Sequence, residues 1–125
     1  HDALPIWPLI ALHHPPFELQ GKGARHWRNG LTGYERLLEI LSGRSATVIH
    51  GHLHTFSRRR IGDIDIIGVP SASNDTGEEA SHAAYHLYTF RSDGLVRAER
   101  VSVHAGETRT PEITRRPLPA EAADT

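Results

Sequence analysis

Cysteine is absent from the 125 residues, which excludes a disulfide framework and any thiolate metal site. No apolar run approaches the ~20 residues that a membrane-spanning helix needs, and no signal-peptide pattern is visible. Charge of one sign is missing as well. The formal net charge is −1 with histidine neutral, so bulk electrostatics makes no case for a nucleic-acid partner. What these absences leave is one soluble domain with a modest core, expected in the cytoplasm and with no membrane contact.

Histidine is the residue in excess. There are ten, and six of them fall between His13 and His54. The densest cluster is Val48-Ile49-His50-Gly51-His52-Leu53-His54. Val48 and Ile49 end an apolar run as a buried strand does, and Gly51 leaves room for a tight exit. On an extended backbone, side chains two apart share one side, so His52 and His54 are expected to face one ion or two adjacent ions. Neutral imidazole is the commonest protein metal ligand. The competing possibility is a polar strand end whose histidines meet solvent or backbone carbonyls.

Upstream, Pro8-Leu9-Ile10-Ala11-Leu12 is a short apolar run that ends in His13-His14-Pro15-Pro16. Such a run suits a strand buried on both faces, and the prolines stop it because they cannot donate to a ladder. Phe17 to Gly30 is rich in Gly, Arg, Lys and aromatics around Arg25-His26-Trp27-Arg28. It predicts a long surface loop, suited either to covering an anionic substrate or to tucking Trp27 onto the core. Thr32-Gly33-Tyr34-Glu35 matches a capping box, with Thr32 as N-cap and Glu35 reaching back. Tyr34, Leu37, Leu38 and Leu41 then form one apolar helical stripe, and Gly43 supplies a stop. Strand, loop, helix and strand in this order predict a parallel crossover.

Beyond the histidine cluster, Thr55–Ile61 and Asp63–Val69 are predicted strands joined around Gly62-Asp63. Ala84–Arg91 and Leu95–His104 alternate apolar and polar residues about Ser92-Asp93-Gly94, which predicts a hairpin. His86 and His104 are expected to be structural or exposed. Residues 105–125 carry few large apolar side chains and are expected to be disordered. The opening His1-Asp2-Ala3-Leu4-Pro5-Ile6 is one translation of CACGACGCTCTTCCGATC, part of a common sequencing-adapter oligonucleotide, and a TGG codon for Trp7 continues it. Residues 1–6 are therefore expected to be a non-native leader; the alternative is that His1-Asp2 is a genuine site fragment.

Leu12-His13-His14-Pro15-Pro16 followed by Val48-Ile49-His50-Gly51-His52-Leu53-His54 resembles the calcineurin-like metallophosphoesterase superfamily. The nearest branch is the bacterial one containing cyclic-nucleotide phosphodiesterases and glycerophosphodiesterases. Trp27–Leu31 and Ser71-Ala72-Ser73 add to the resemblance, which runs from about Pro8 to His104. It implies an α/β fold, residues 7–104 being the C-terminal half of a four-layer α/β/β/α sandwich. It also implies hydrolysis of a phosphomono- or phosphodiester at a dinuclear centre of Mn, Fe or Zn. His13 and His52 would bind one ion and His54 the other. His14 and His50 do not match the family's ligand positions and are left as substrate-contacting candidates, His14 as a candidate catalytic residue; Arg25, His26 and Arg28 are candidates for substrate binding.

The family's Asp-x-His, Gly-Asp-x-x-Asp and Gly-Asn-His-Asp/Glu motifs are missing upstream of His13. By the resemblance, the parent protein is the enzyme, and this fragment alone is expected to bind metal weakly and catalyse little. Two other functions stay open. One is a non-catalytic interaction module that keeps the fold, and the other a mononuclear zinc domain using His13, His52 and His54. A homodimer is equally open.

Overall fold

The computed structural model describes residues 7–16, 33–72, 83–92, 94–105 and 111–120. Leu9–Leu12 forms strand β1, Tyr34–Leu41 helix α1, Ala46–His50 β2, Ser57–Ile61 β3 and Ile64–Gly68 β4. Ala84–Arg91, Gly94–Ala105 and Pro111–Pro117 follow as β5, β6 and β7. The first four strands make a mixed sheet in the order β1-β2-β4-β3, and the last three an antiparallel sheet in the order β5-β6-β7.

The β1–α1–β2 segment closes as a parallel pair, with Leu9 opposite Thr47 and Leu12 opposite His50. Its helix starts after Gly33, which has φ 82 and makes no side-chain cap; Thr32, the expected N-cap, lies outside the described residues. The helix ends at Ser42, and Gly43 follows with φ 75, a left-handed conformation that glycine adopts without a Cβ penalty. Leu37, Leu38 and Leu41 pack on Ala46, Val48, Ile64 and Ile66 together with Ile10 and Leu12. These residues alternate along β1, β2 and β4, as one face of a pleated sheet must. Burying a side chain such as Val48 or Ile66 in full stabilises the fold by roughly 1.5–3 kcal/mol.

The opposite face of the first sheet meets the second sheet. Ile67 and Ile49 pack there with Phe56, Leu118, Tyr88, Leu95 and Ala98. The Trp7 indole donates to Thr47 Oγ1 at 3.0 Å, and a Cβ placed on Gly94 (φ 125) would run into the Trp7 ring. Trp7 therefore joins β2 of one sheet to the β5–β6 turn of the other.

Three expectations are corrected here. The α/β sandwich does not form: among the described residues, one eight-residue helix stands against seven strands in two sheets. The physical reason is that, among the described residues, β1 and β2 are the one pair of strands joined through a helix. β3 and β4 close as a hairpin around Gly62-Asp63, and β5 to β7 form a meander. Second, β1 is an edge strand and is not buried on both faces; Leu9 is 48 % exposed. Third, the tail expected to be disordered includes β7, whose backbone pairs along β6 from Pro117 opposite Glu99 to Pro111 opposite Ala105. Arg115 on β7 forms a two-point ion pair with Glu99 on β6, which helps to hold a segment that has little apolar content. Residues 1–6 lie outside the described residues.

Between the sheets sits His86, whose Nδ1 takes a hydrogen bond from the Tyr88 hydroxyl at 2.6 Å. Among the described residues, its buried Nε2 has no hydrogen-bond partner. Burial, followed by the charges of Arg100 and Arg58, holds the His86 pKa down at about 4, against an ordinary 6.5. A histidine with a depressed folded pKa stabilises fully above its unfolded value, and that contribution fades as pH falls through the window from 6.5 to about 4. The expected loss across this window is on the order of 3 kcal/mol. His50, whose pKa is lowered mainly by burial, acts in the same direction. Urea midpoints should therefore fall between pH 7 and pH 4.5, and His86→Gln should flatten that dependence. An unchanged slope in the variant would mean that His86 is charged in the folded protein.

Candidate metal centre

The site is built where β1 and β2 end side by side. Because Leu12 is opposite His50, the residues that leave the two strands emerge at one level of the sheet. The Gly51 amide donates to the His13 carbonyl at 3.1 Å, which ties the two exits together. Pro15 and Pro16 are fully buried, so the His13-His14 exit is anchored from its far side. This is a rigid mounting for side chains that face solvent.

The chain after β2 does not stay extended. His52 has φ 68 and His54 φ 56, both in the left-handed region. The Leu53 amide donates to the Gly51 carbonyl at 2.8 Å, so His52 occupies the centre of a tight three-residue turn of the rare positive-φ kind. A non-glycine residue held this way costs of order 1–3 kcal/mol, and such strain concentrates at functional sites. Its geometric effect is visible. His52 Nδ1 lies 3.1 Å from His13 Nε2, across a sequence separation of 39 residues.

His14 completes the group. Its ring centroid is 4.4 Å from that of His52 and 4.9 Å from that of His13. One ligand nitrogen from each of His13, His14 and His52 lies within 4.8 Å of the other two. The alternate-position argument that paired His52 with His54 assumed an extended backbone, and the two left-handed residues remove that assumption. His54 is exposed and is not part of the three-residue group, although its charge is felt at His52. The expected ligands His13 and His52 are thus brought together, His54 is not, and His14 takes a place that the alternation argument did not assign to it. The signal for His14 was its adjacency to His13 at a strand end closed by two prolines. Arg25, His26 and Arg28 lie outside the described residues.

Electrostatics favours a neutral ring at His52. Burial, then the neighbouring His14, His13 and His54, push the His52 pKa below the ordinary histidine value, so at neutral pH its ring offers a lone pair. Nitrogen donors around a tetrahedral ion at about 2.0–2.1 Å lie roughly 3.3 Å apart. The His13–His52 separation is already close to that, and modest rotation of His14 closes the remainder. One ion fits. Among the described residues the group is imidazole only and includes no carboxylate.

His50, directly before this turn, is buried on the helix side of β2. A Cβ on Gly68 would approach His50 Cε1 to 2.9 Å and Nε2 to 3.1 Å, and would collide with the Ser57 hydroxyl. Glycine is needed at this point because another side chain lies flat against the backbone. Gly68→Ala is expected to destabilise by about 1–3 kcal/mol through overpacking, read as a lower urea midpoint. An unchanged midpoint would show that His50 can move aside.

Comparison with family models found no match to the chain, and comparison with curated proteins found none either.

Proposed function

We propose that these residues belong to a metal-dependent phosphoester hydrolase acting on phosphodiesters or phosphomonoesters. The observation that carries the proposal is the approach of His13 to His52, 3.1 Å apart from opposite ends of a 39-residue separation, at the mouth of two parallel strands. The motif resemblance of Leu12–Pro16 and Val48–His54 supports the same conclusion. A divalent cation held by such groups polarises a phosphoryl oxygen and supplies hydroxide near neutral pH. The chain's own part is to hold the imidazoles aimed at one point and open to solvent on one side. Arg25, His26 and Arg28 are the groups proposed to bind the anionic ester, since guanidinium pairs with phosphate oxygens in two-point contacts.

The test is hydrolysis of bis(p-nitrophenyl) phosphate by the uninterrupted reading frame that carries these residues, with Mn²⁺, Zn²⁺ or Fe²⁺ added in turn. Metal-dependent turnover that disappears with His13→Ala is the expected result. Absence of turnover with all three metals would overturn the proposal.

A further inference from the structure

We propose that His13, His14 and His52 together hold a single divalent transition-metal ion, with His14 as the third ligand and His54 outside the coordination sphere. This differs from the arrangement implied by the motifs, which divides His13, His52 and His54 between two ions. The inference concerns the same site as the phosphoester proposal but does not depend on hydrolysis.

Three observations carry it. The three nitrogens converge within 4.8 Å, which one ion bridges with small side-chain rotations. The donors are positioned before any ion arrives, by the Gly51–His13 backbone bond, the buried Pro15-Pro16 and the strained turn at His52. The donor set is chemically uniform, too. Three imidazole donors suit Zn²⁺ better than Mn²⁺, which takes carboxylate and water more readily. They also leave the ion its full charge and an open fourth position. A small oxyanion such as inorganic phosphate is the class of ligand that such a position takes.

The experiment is calorimetric titration of the untagged 125-residue chain with Zn²⁺ and then with Mn²⁺, with circular dichroism reporting the fold. One equivalent of Zn²⁺ should bind, and more tightly than Mn²⁺. His14→Ala and His14→Gln should each weaken Zn²⁺ binding by about tenfold or more, and His54→Ala should leave it unchanged. Two equivalents, no binding to folded chain, or loss with His54→Ala but not with His14→Ala would overturn the assignment. Where His14→Ala fails to fold, the milder His14→Gln, read by bound zinc per folded chain, gives the comparison. The two proposals fail separately. Zinc binding through His14 without phosphodiester hydrolysis keeps this inference and removes the hydrolase, whereas hydrolysis that needs His54 and ignores His14 does the reverse.

Discussion

His52→Ala in the uninterrupted reading frame is expected to lower phosphodiester turnover by at least about a hundredfold, the upper end of what loss of even a supporting group costs a metal site. Far-UV circular dichroism should stay unchanged, because His52 belongs to neither apolar cluster. The backbone supplies a second arm. His52 sits at φ 68, a conformation that costs an L-residue roughly 1–2 kcal/mol and glycine almost nothing. His52→Gly should therefore be more stable than His52→Ala by about 1 kcal/mol, while being equally inactive. Turnover retained in either variant would remove His52 from the site. Equal stabilities would mean that the turn relaxes once the imidazole is gone.

The largest stability effect is expected at Arg58. Its Nε and a terminal nitrogen meet Asp65 Oδ1 and Oδ2 at 3.1 and 2.8 Å, and its other terminal nitrogen donates to the Pro119 carbonyl at 3.0 Å. Both side chains are largely removed from water, at 14 % and 7 % exposure. Arg58→Ala strands the Asp65 carboxylate between the sheets, and breaking a buried pair in this way costs about 3–5 kcal/mol. It also releases the segment beyond β7. Replacing both partners together, as Arg58→Met with Asp65→Leu, should cost far less, because no charge is left behind. Denaturant midpoints for the single and double variants decide the matter. A single variant as stable as the double would show that water reaches Asp65.

These residues also show which parts of the molecule were legible in the sequence. The stripe of Leu37, Leu38 and Leu41 and the parallel approach of β1 to β2 follow from periodicity, since both depend on local spacing. The Gly62-Asp63 hairpin and the β5–β6 hairpin were legible for the same reason. Fold class was not, because it depends on how many strands are joined by helices, and β3 enters the first sheet by a hairpin. β7 escaped notice because its backbone pairing and its Arg115–Glu99 contact are not written in apolar content. At the site, His13 and His52 were legible from type and position. His14 was legible as a catalytic candidate and not as a ligand, and the pairing of His52 with His54 by alternation fails because His52 and His54 are both left-handed. The Arg58–Asp65 pair was not legible in the sequence, because nothing local links the two residues.

The position of β1 has a kinetic consequence. Four residues long and, among the described residues, bonded on one side only, it is held at its exit by the buried Pro15 and Pro16, and its departure would carry His13 and His14 out while His52 stays behind on β2. An ion held as proposed would then have an escape route in which two donors depart together, with no need for stepwise dissociation of imidazoles. The residence time of a bound ion would be governed by the fraying rate of that strand, and the amides of Ile10 and Leu12 would exchange with solvent deuterium on the same clock.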